Sequence, residues 1–235
     1  MFLIDSHCHL ESIKSFAPSD DVLPITCGYS HTSNLKNIDI ARKFNVPFCL
    51  GIAPQTAIKQ GTAQLEEWCG TILKNKPNAI GEIGLDHHWA ENDAHIASER
   101  VVFDRMISLA EEMDLPVVIH SRKAENDALV ELKKRKFENG IMMHFFSGTV
   151  KDAELALSMG AILSIICLHS KSRKDVIKLA PLESIVIETD APYVGRKPED
   201  VLEAAKYVAE VKGLDVEVVA SQTAKNAAKF FKIKL

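Results

Sequence analysis

Two histidines near the start of the chain are spaced so that they could share a metal ion. His7 and His9 flank Cys8 directly after the apolar residues 1–4, which we interpret as a short buried strand. Because side chains alternate between the faces of a strand, the two imidazoles project from one face and the thiol from the other. Paired imidazoles are suitable ligands for zinc and similar divalent ions. With 9 histidines in 235 residues such a pair also arises by chance, so the interpretation depends on further ligands downstream.

Four more residues of metal-ligand type lie in or directly after apolar stretches further along the chain. Buried carboxylates cost several kcal/mol unless they are paired or bind a metal ion, so the two acidic members are expected to have a partner. With the first pair, the four histidines and two carboxylates could ligate two divalent ions about 3.5–4 Å apart, one carboxylate bridging them. The four residues are Glu82 in the stretch 79–86, His120 at the end of 116–120, His144 after 141–143 and Asp190 after 185–187.

The elements that must position these residues alternate in type along the chain. Short apolar runs of the kind found in parallel strands covered on both faces alternate with segments of helical periodicity. We predict strands over residues 2–4, 22–27, 47–52, 79–85, 116–120, 140–146, 161–166 and 184–187. We predict helices over residues 33–44, 63–74, 95–113, 125–136, 150–159, 171–179, 198–212 and 215–232.

This alternation predicts a TIM (β/α)8 barrel, an α/β fold, in a single domain over residues 1–235. A doubly wound open sheet is the alternative. We favour the barrel because the ligand-type residues follow first, middle and last strands alike. Only a closed barrel brings all of those strand ends to one mouth.

Composition excludes several classes of protein. A hydrophobic content of 46% and a charged content of 26% are ordinary for a globular protein, and the net charge of −4 provides no general attraction to nucleic acids or anionic membranes. We expect no membrane association, because no apolar run approaches the roughly 20 residues that span a bilayer and the start lacks the basic region of a signal peptide. The five scattered cysteines suit reduced thiols in a cytoplasmic protein. No obligate protein partner is indicated.

The ligand-type residues lie in five segments that follow one another in a fixed order. These are DSHCHL at 5–10, IGEIGLD at 80–86, PVVIHSR at 116–122, HFFSG at 144–148 and ETDAPY at 188–193. Together they resemble the TatD family of metal-dependent deoxyribonucleases, within the amidohydrolase superfamily. The resemblance spans almost the whole chain and implies the same barrel. It also implies hydrolysis of DNA phosphodiesters, typically exonucleolytic, by water activated at a two-metal centre.

The resemblance also implies a role for each ligand-type residue. His7, His9 and Asp190 would bind one ion, His120 and His144 the second, and Glu82 would bridge them. The ions would be Zn²⁺, Mn²⁺ or Mg²⁺. Asp190 and Glu82 are the expected catalytic residues, with Asp190 orienting the attacking water or taking its proton. A role for Asp190 as ligand alone remains open.

Substrate contacts are less defined by the sequence. Arg122 could hold a phosphate oxygen or form a surface ion pair. His31 and His88 could contact phosphate or be solvated loop residues. Many family members carry Gly-x-His-Pro-His after the third strand, whereas this chain has Ala53 and Gln55 in place of both histidines.

Two other hypotheses about the function remain open. The first is another hydrolase on the same centre, such as a D-aminoacyl-tRNA deacylase. The second is a metal-binding pseudoenzyme, suggested by the missing histidine pair at Ala53 and Gln55. A carboxylated-lysine bridge, as in phosphotriesterase-like proteins, is not expected because the fourth strand contains no lysine.

Overall fold

The computed structural model describes residues 1–234 and contains one sheet of eight parallel strands. The strands pair in chain order, each with the next, from β1 to β8. This order, with an α-helix between every two successive strands except β1 and β2, which a loop with a single 3-10 turn connects, confirms the predicted (β/α)8 barrel. The strands are β1 Leu3–Cys8, β2 Val22–Cys27, β3 Phe48–Leu50, β4 Ala79–Asp86, β5 Val117–Arg122, β6 Ile141–Met143, β7 Ile162–Ile165 and β8 Ile185–Ile187.

The barrel closes between its first strand and the residues that follow its last. The backbone N–H of Asp190 donates to the carbonyl oxygen of His7 at 3.0 Å, and that of His9 donates to the carbonyl oxygen of Ala191 at 2.7 Å. The Ser6 hydroxyl donates to the Ile187 carbonyl oxygen at 2.9 Å. These hydrogen bonds therefore place His7 and His9, the first candidate ligands in the chain, next to Asp190, the last.

Nine α-helices surround the sheet within residues 1–234. Eight correspond to predicted helices, with ends that differ by a few residues. The helix α2 was not predicted, because its seven residues are too few to show helical periodicity; Pro54 at its first position starts it directly after β3. The helices are α1 His31–Phe44, α2 Pro54–Gln60, α3 Leu65–Asn75, α4 Asp93–Met113, α5 Glu125–Arg135, α6 Val150–Ser158, α7 Lys171–Leu179, α8 Val201–Lys212 and α9 Val216–Phe230.

Side-chain caps define where several helices begin. Ser30, Asn92 and Ser170 each accept a backbone N–H with the side-chain oxygen at the start of α1, α4 and α7. Thr149 and Asp152 form a reciprocal capping box at the start of α6. Each cap satisfies a backbone donor that the first helical turn leaves free, so the loops enter the helices at defined angles.

The core has two main layers. One lies between the sheet and the surrounding helices and contains most of the large apolar side chains. The other lies on the opposite face of the strands, where Ile4, Ile25, Val118 and Val186 pack together with Phe231 after α9. With its interior packed by these side chains, the barrel leaves the C-terminal ends of its strands to carry polar groups.

Candidate metal centre

The six ligand-type residues converge at the C-terminal ends of the strands, as expected for a barrel. All are buried except Asp190 and His120, which are partly accessible. Their ligand atoms form three groups whose members lie within 4.8 Å of one another. The groups are His7 with His9 and Glu82, His7 with His144 and Asp190, and Glu82 with His120 and His144.

Irregularities in two strands aim the ligands into the barrel. Between β1 and β2 the register shifts after Asp5, and between β4 and β5 it shifts after Ile80. Ile80 and Ile83, an odd number of positions apart, both pack in the layer beneath the helices, so the strand changes face between them. Glu82 lies in that irregular segment. Without the shift it would share the helix-facing side with Ile80.

Glu82 occupies the centre of the site, and its two oxygens face different histidines. Its Oε2 atom lies 3.7 Å from Nε2 of His7 and 3.8 Å from Nε2 of His9. Its Oε1 atom lies 2.7 Å from Nδ1 of His120. The side chain is only 6% exposed, so this carboxylate depends on the surrounding histidines or on cations for compensation.

His9 presents Nε2 to the site because its other nitrogen is engaged. Nδ1 lies 2.8 Å from the carbonyl oxygen of Cys27, an acceptor that requires the ring to donate from Nδ1. Nε2 lies 3.2 Å from Nε2 of His7 and 3.3 Å from Oδ1 of Asp190. The backbone contact therefore fixes the orientation in which Nε2 faces Asp190 and His7.

A second carboxylate, Asp86, holds His120 from the side opposite Glu82. Its Oδ2 atom lies 2.8 Å from Nε2 of His120 and accepts a hydrogen bond from the Gln55 amide at 2.9 Å. The Gln55 nitrogen is also 3.2 Å from Nε2 of His120. Gln55, which stands where many family members have histidine, is therefore part of the site through Asp86 and His120.

His144 has its own buried carboxylate. Its Nδ1 atom lies 2.9 Å from Oε1 of Glu188, and its ring stacks on that of His7 with centroids 3.6 Å apart. Glu188 is held in turn by the backbone N–H of Phe145 at 2.8 Å and by the Ser164 hydroxyl. This chain of contacts fixes the plane of the imidazole.

The protonation of the first histidine pair differs between its members. Burial lowers the pKa of His9, but the contact with Asp190 and the charge of Glu82 outweigh it and raise the pKa to about 9. Burial and the neighbouring His144 hold the pKa of His7 well below 6.5. His7 is therefore a neutral imidazole at neutral pH, and its Nδ1 atom has no partner among the described residues.

The charges around His120 are more strongly coupled. Burial opposes protonation of this ring, but Asp86 and Glu82 together raise its pKa to about 10. Conversely, the contact with His120 outweighs burial and lowers the pKa of both carboxyl groups. Without a cation, the buried carboxylates are therefore compensated by protons on imidazoles.

This donor set fits divalent cations. Imidazole nitrogens and carboxylate oxygens are the ligands that zinc and manganese take in proteins. A cation would replace the protons that His9 and His120 hold, because a metal ligand must offer its lone pair. The outer carboxylates Asp86 and Glu188 would then orient the rings of His120 and His144, the usual arrangement for metal-binding histidines.

A cavity of about 720 Å³ opens over the cluster. Arg122 lines it. His31 and His88 are not among the described residues that line it; His31 begins α1, and His88 lies on the surface with Nδ1 3.4 Å from Nζ of Lys123. His95 also lines the cavity.

Several residues of the site were not predicted. Asp86 and Glu188 each end or follow a buried apolar strand, the same signal that identified Asp190. Trp89, Tyr193 and Lys59 line the cavity from the loops and from α2, where the sequence carries no comparable signal. Within residues 1–234, every helix is too short or too polar to cross a membrane.

The barrel, with histidines and carboxylates gathered at the C-terminal ends of its strands, has the architecture of metal-dependent hydrolases. Comparison with known proteins is more specific. The family model described as TatD related DNase matches residues 4–232. The chain therefore belongs to the TatD family, as the resemblance implied.

Individual relatives and structures agree with this assignment. The chain is 31% identical to an uncharacterized metal-dependent hydrolase of Methanocaldococcus jannaschii over 99% of this chain and 98% of the relative. It is 30% identical to human deoxyribonuclease TATDN3, covering 97% and 94% of the two chains. A crystal structure of a TatD homolog from Escherichia coli superimposes with a TM-score of 0.85 at 24% identity, covering 99% and 98%, which supports the fold.

Proposed function

We propose that this protein hydrolyses phosphodiester bonds with two divalent metal ions. We propose that its substrate is DNA and that it acts as an exonuclease, removing nucleotides from a free end. The main support for this proposal is the position of Glu82. One of its carboxylate oxygens faces His7 and His9, and the other faces His120. A carboxylate placed between two sets of imidazoles would be able to serve both ions of a two-metal hydrolase.

The contacts suggest how the ligands divide. His7, His9 and Asp190 surround one position, and Glu82, His120 and His144 surround the other. His7 also groups with His144 and Asp190, so the two positions are contiguous. The mixed nitrogen and oxygen donors suit Zn²⁺ or Mn²⁺ better than Mg²⁺, which prefers oxygen ligands alone.

The chemistry divides between the ions and the chain. Bound divalent ions would lower the pKa of water and offset negative charge on the phosphate. Asp190, the more accessible of the two inner carboxylates, would orient the attacking water and accept its proton. Arg122 would bind a non-bridging phosphate oxygen through its guanidinium. The P–O bond to the leaving nucleotide would break as the water oxygen bonds to phosphorus, and the leaving oxygen would take a proton from solvent water.

DNA is the favoured substrate because one of the relatives, human TATDN3, is named a deoxyribonuclease. The net charge of −4 requires that binding be local, and the cavity supplies Arg122 and Lys59 for that purpose. The departure at Ala53 and Gln55 does not remove any of the six ligand-type residues.

Direct assay of the purified protein tests the proposal. Metal content is measured by mass spectrometry, and release of mononucleotides from DNA is followed with Zn²⁺, Mn²⁺ and Mg²⁺ in turn. His7→Ala provides the inactive comparison. A parallel reaction follows release of D-amino acids from charged tRNA.

Metal-dependent nucleotide release by the wild type, abolished in His7→Ala, would support the proposal. A protein that holds two ions and hydrolyses no phosphodiester with any of the three metals would overturn it. Deacylation of tRNA without nucleotide release would show that the substrate is an aminoacyl-tRNA ester and not DNA, while the proposed metal centre would stand.

A further inference from the structure

Gln55 lies between the cavity and the outer carboxylate Asp86. Its side chain is partly accessible and lines the cavity, whereas Asp86 is fully buried. The amide nitrogen Nε2 of Gln55 donates to Oδ2 of Asp86 at 2.9 Å. Because a carboxylate offers acceptors alone, this contact requires the amide to present its nitrogen and not its oxygen. Gln55 therefore supplies a hydrogen-bond donor to Asp86 at the wall of the cavity.

Four donors surround the carboxylate of Asp86. Its Oδ1 atom accepts the backbone N–H groups of His88 at 2.9 Å and Trp89 at 3.3 Å, both in the turn after β4. Its Oδ2 atom accepts from Gln55 and lies 2.8 Å from Nε2 of His120. Of these four, Gln55 is the one side chain that is not itself a candidate metal ligand. Its loss would leave Oδ2 of a buried carboxylate one donor short, which is costly.

The backbone of Gln55 is held on both sides. Pro54 occupies the first position of α2, which has seven residues, and a helix this short depends on tertiary contacts. The backbone N–H of Ala53 and the hydroxyl of Thr56 both donate to the carbonyl oxygen of Tyr29 at 2.9 Å. These contacts attach the start of α2 to the loop after β2. The amide of Gln55 is therefore placed against Asp86 by backbone that cannot easily shift.

The amide reaches the imidazole of His120 through Asp86. The Gln55 nitrogen lies 3.2 Å from Nε2 of His120, and both nitrogens are within hydrogen-bond distance of the same Asp86 oxygen. On the other edge of the ring, Nδ1 lies 2.7 Å from Oε1 of Glu82. A ring held at Nε2 by Asp86 therefore keeps its Nδ1 edge towards the group formed with Glu82 and His144.

We propose that Gln55 is a positioning residue for one of the two metal ions. By fixing Asp86, and through it the ring of His120, it sets the affinity of the metal position beside His120 and leaves the position beside His9 unchanged. This inference rests on the two-metal centre of the proposed function. An amide carries no charge, so Gln55 would act on the ion through geometry and not through its own attraction. An amide also keeps a nitrogen donor at the position where many family members have histidine.

The test measures metal binding, so it does not depend on hydrolysis. Metal-free protein is titrated with Zn²⁺ in competition with a chelator of known affinity, which gives separate affinities for the first and second ion. Gln55→Met keeps a side chain of similar length and removes the donor. Gln60→Met changes an exposed glutamine at the end of the same helix and is the matched control. Urea unfolding of each metal-free variant verifies that it folds.

We expect Gln55→Met to weaken the binding of one ion about 10- to 100-fold, as for other outer-shell groups, and to leave the other ion and the Gln60→Met variant at wild-type affinity. In a His9→Ala background, which retains the position beside His120, the same loss should persist for the remaining ion. In an Asp86→Asn background the loss should shrink, because the amide acts through that carboxylate.

Wild-type affinity for both ions in Gln55→Met would overturn the positioning role and leave the metal centre and the nuclease function intact. An equal loss for both ions, or an undiminished loss in the Asp86→Asn background, would also overturn it, since neither is expected of a group that acts through Asp86 on one ion. A wild type that binds no Zn²⁺ would refute the positioning role together with the two-metal centre.

Discussion

The Nδ1 atom of His9 lies 2.8 Å from the carbonyl oxygen of Cys27, so the strand that follows β1 in the sheet determines how a residue at the end of β1 faces the centre of the barrel. The opposite nitrogen is thereby directed at Asp190 and His7. Backbone carbonyls are among the groups that orient metal-binding histidines in this way.

The first prediction concerns this ring. His9→Ala removes one candidate ligand, and we expect the content of bound metal to fall from two ions towards one per chain, with nuclease activity reduced at least 100-fold. Metal analysis and initial rates measure the two effects. His169→Ala, outside the cavity lining, is the control and should change neither quantity. Full metal content in His9→Ala would remove His9 from the ligand set.

The second prediction concerns Asp86, which contacts His120 and Gln55. Asp86→Asn keeps the shape of the side chain but removes the charge that orients the imidazole. We expect metal affinity to fall about 10- to 100-fold, as for outer-shell carboxylates elsewhere. Competition with a chelator of known affinity measures it. Asp127→Asn, half-exposed beside His87, is the matched control; equal affinity in both variants would contradict the role.

The third prediction concerns Arg122. Arg122→Ala should raise KM for DNA about 10-fold and make it less sensitive to salt, because one charged phosphate contact is lost. Arg122→Lys should recover only part of the loss, since lysine lacks the bidentate geometry. Steady-state rates over a range of salt concentrations measure both effects. Arg42→Ala, on α1 and bonded to Asn75, is the control. An unchanged salt dependence in Arg122→Ala would favour the surface ion pair instead.

The fourth prediction concerns removal of metal. The charges of Glu82, which is buried, and Asp190, which is partly accessible, are then balanced by protonated imidazoles. We expect chelation to abolish nuclease activity and to lower the thermal midpoint, because ions that bind only the folded chain stabilise it. Calorimetry with and without chelator measures the shift, and restoring each metal in turn identifies the ion that recovers activity. A chelated protein with unchanged activity and midpoint would argue against a metal centre.

The fifth prediction concerns Glu99 on α4. The side chain is 1% exposed, neither oxygen has a hydrogen-bond partner among the described residues, and burial raises the pKa from 4.5 to about 7. A carboxyl group with a raised pKa binds its proton more tightly in the folded state. The contribution of the protonated Glu99 side chain to the free energy of unfolding is therefore complete below pH 4.5. It is lost, and stability falls, as pH rises from there through 7.

Glu99→Gln should consequently be more stable than wild type at pH 8, on the order of 1–2 kcal/mol, and about equal to it at acidic pH. Urea unfolding of the metal-free proteins across this range measures the difference. Glu67→Gln, exposed on α3, is the control and should keep the wild-type dependence on pH. A parallel slope in Glu99→Gln and wild type would show that Glu99 does not titrate over this interval.

The amino-acid sequence alone was sufficient for the barrel and for the six residues at its mouth. Apolar runs and segments of helical periodicity follow from which residues are buried. Elements that show a clear pattern, such as β2 at Val22–Cys27 and α7 at Lys171–Leu179, therefore begin and end at the predicted residues. Each candidate ligand is a polar residue within or directly after an apolar strand, where burial makes it conspicuous. The short helix α2 was not predicted because seven residues are too few to show helical periodicity.

Only the tertiary structure decided which way these residues face and what surrounds them. Simple alternation puts Glu82 on the same face as Ile80, and the register shift against β5 turns it inward. That shift depends on pairing with a strand more than thirty residues away in the chain, which no local pattern encodes. The contacts of Asp86 with Gln55 and of Tyr193 with Tyr29 likewise join distant segments. Residue types and local periodicity suggest a metal centre; closure of the barrel determines its geometry and the surface through which a substrate must enter.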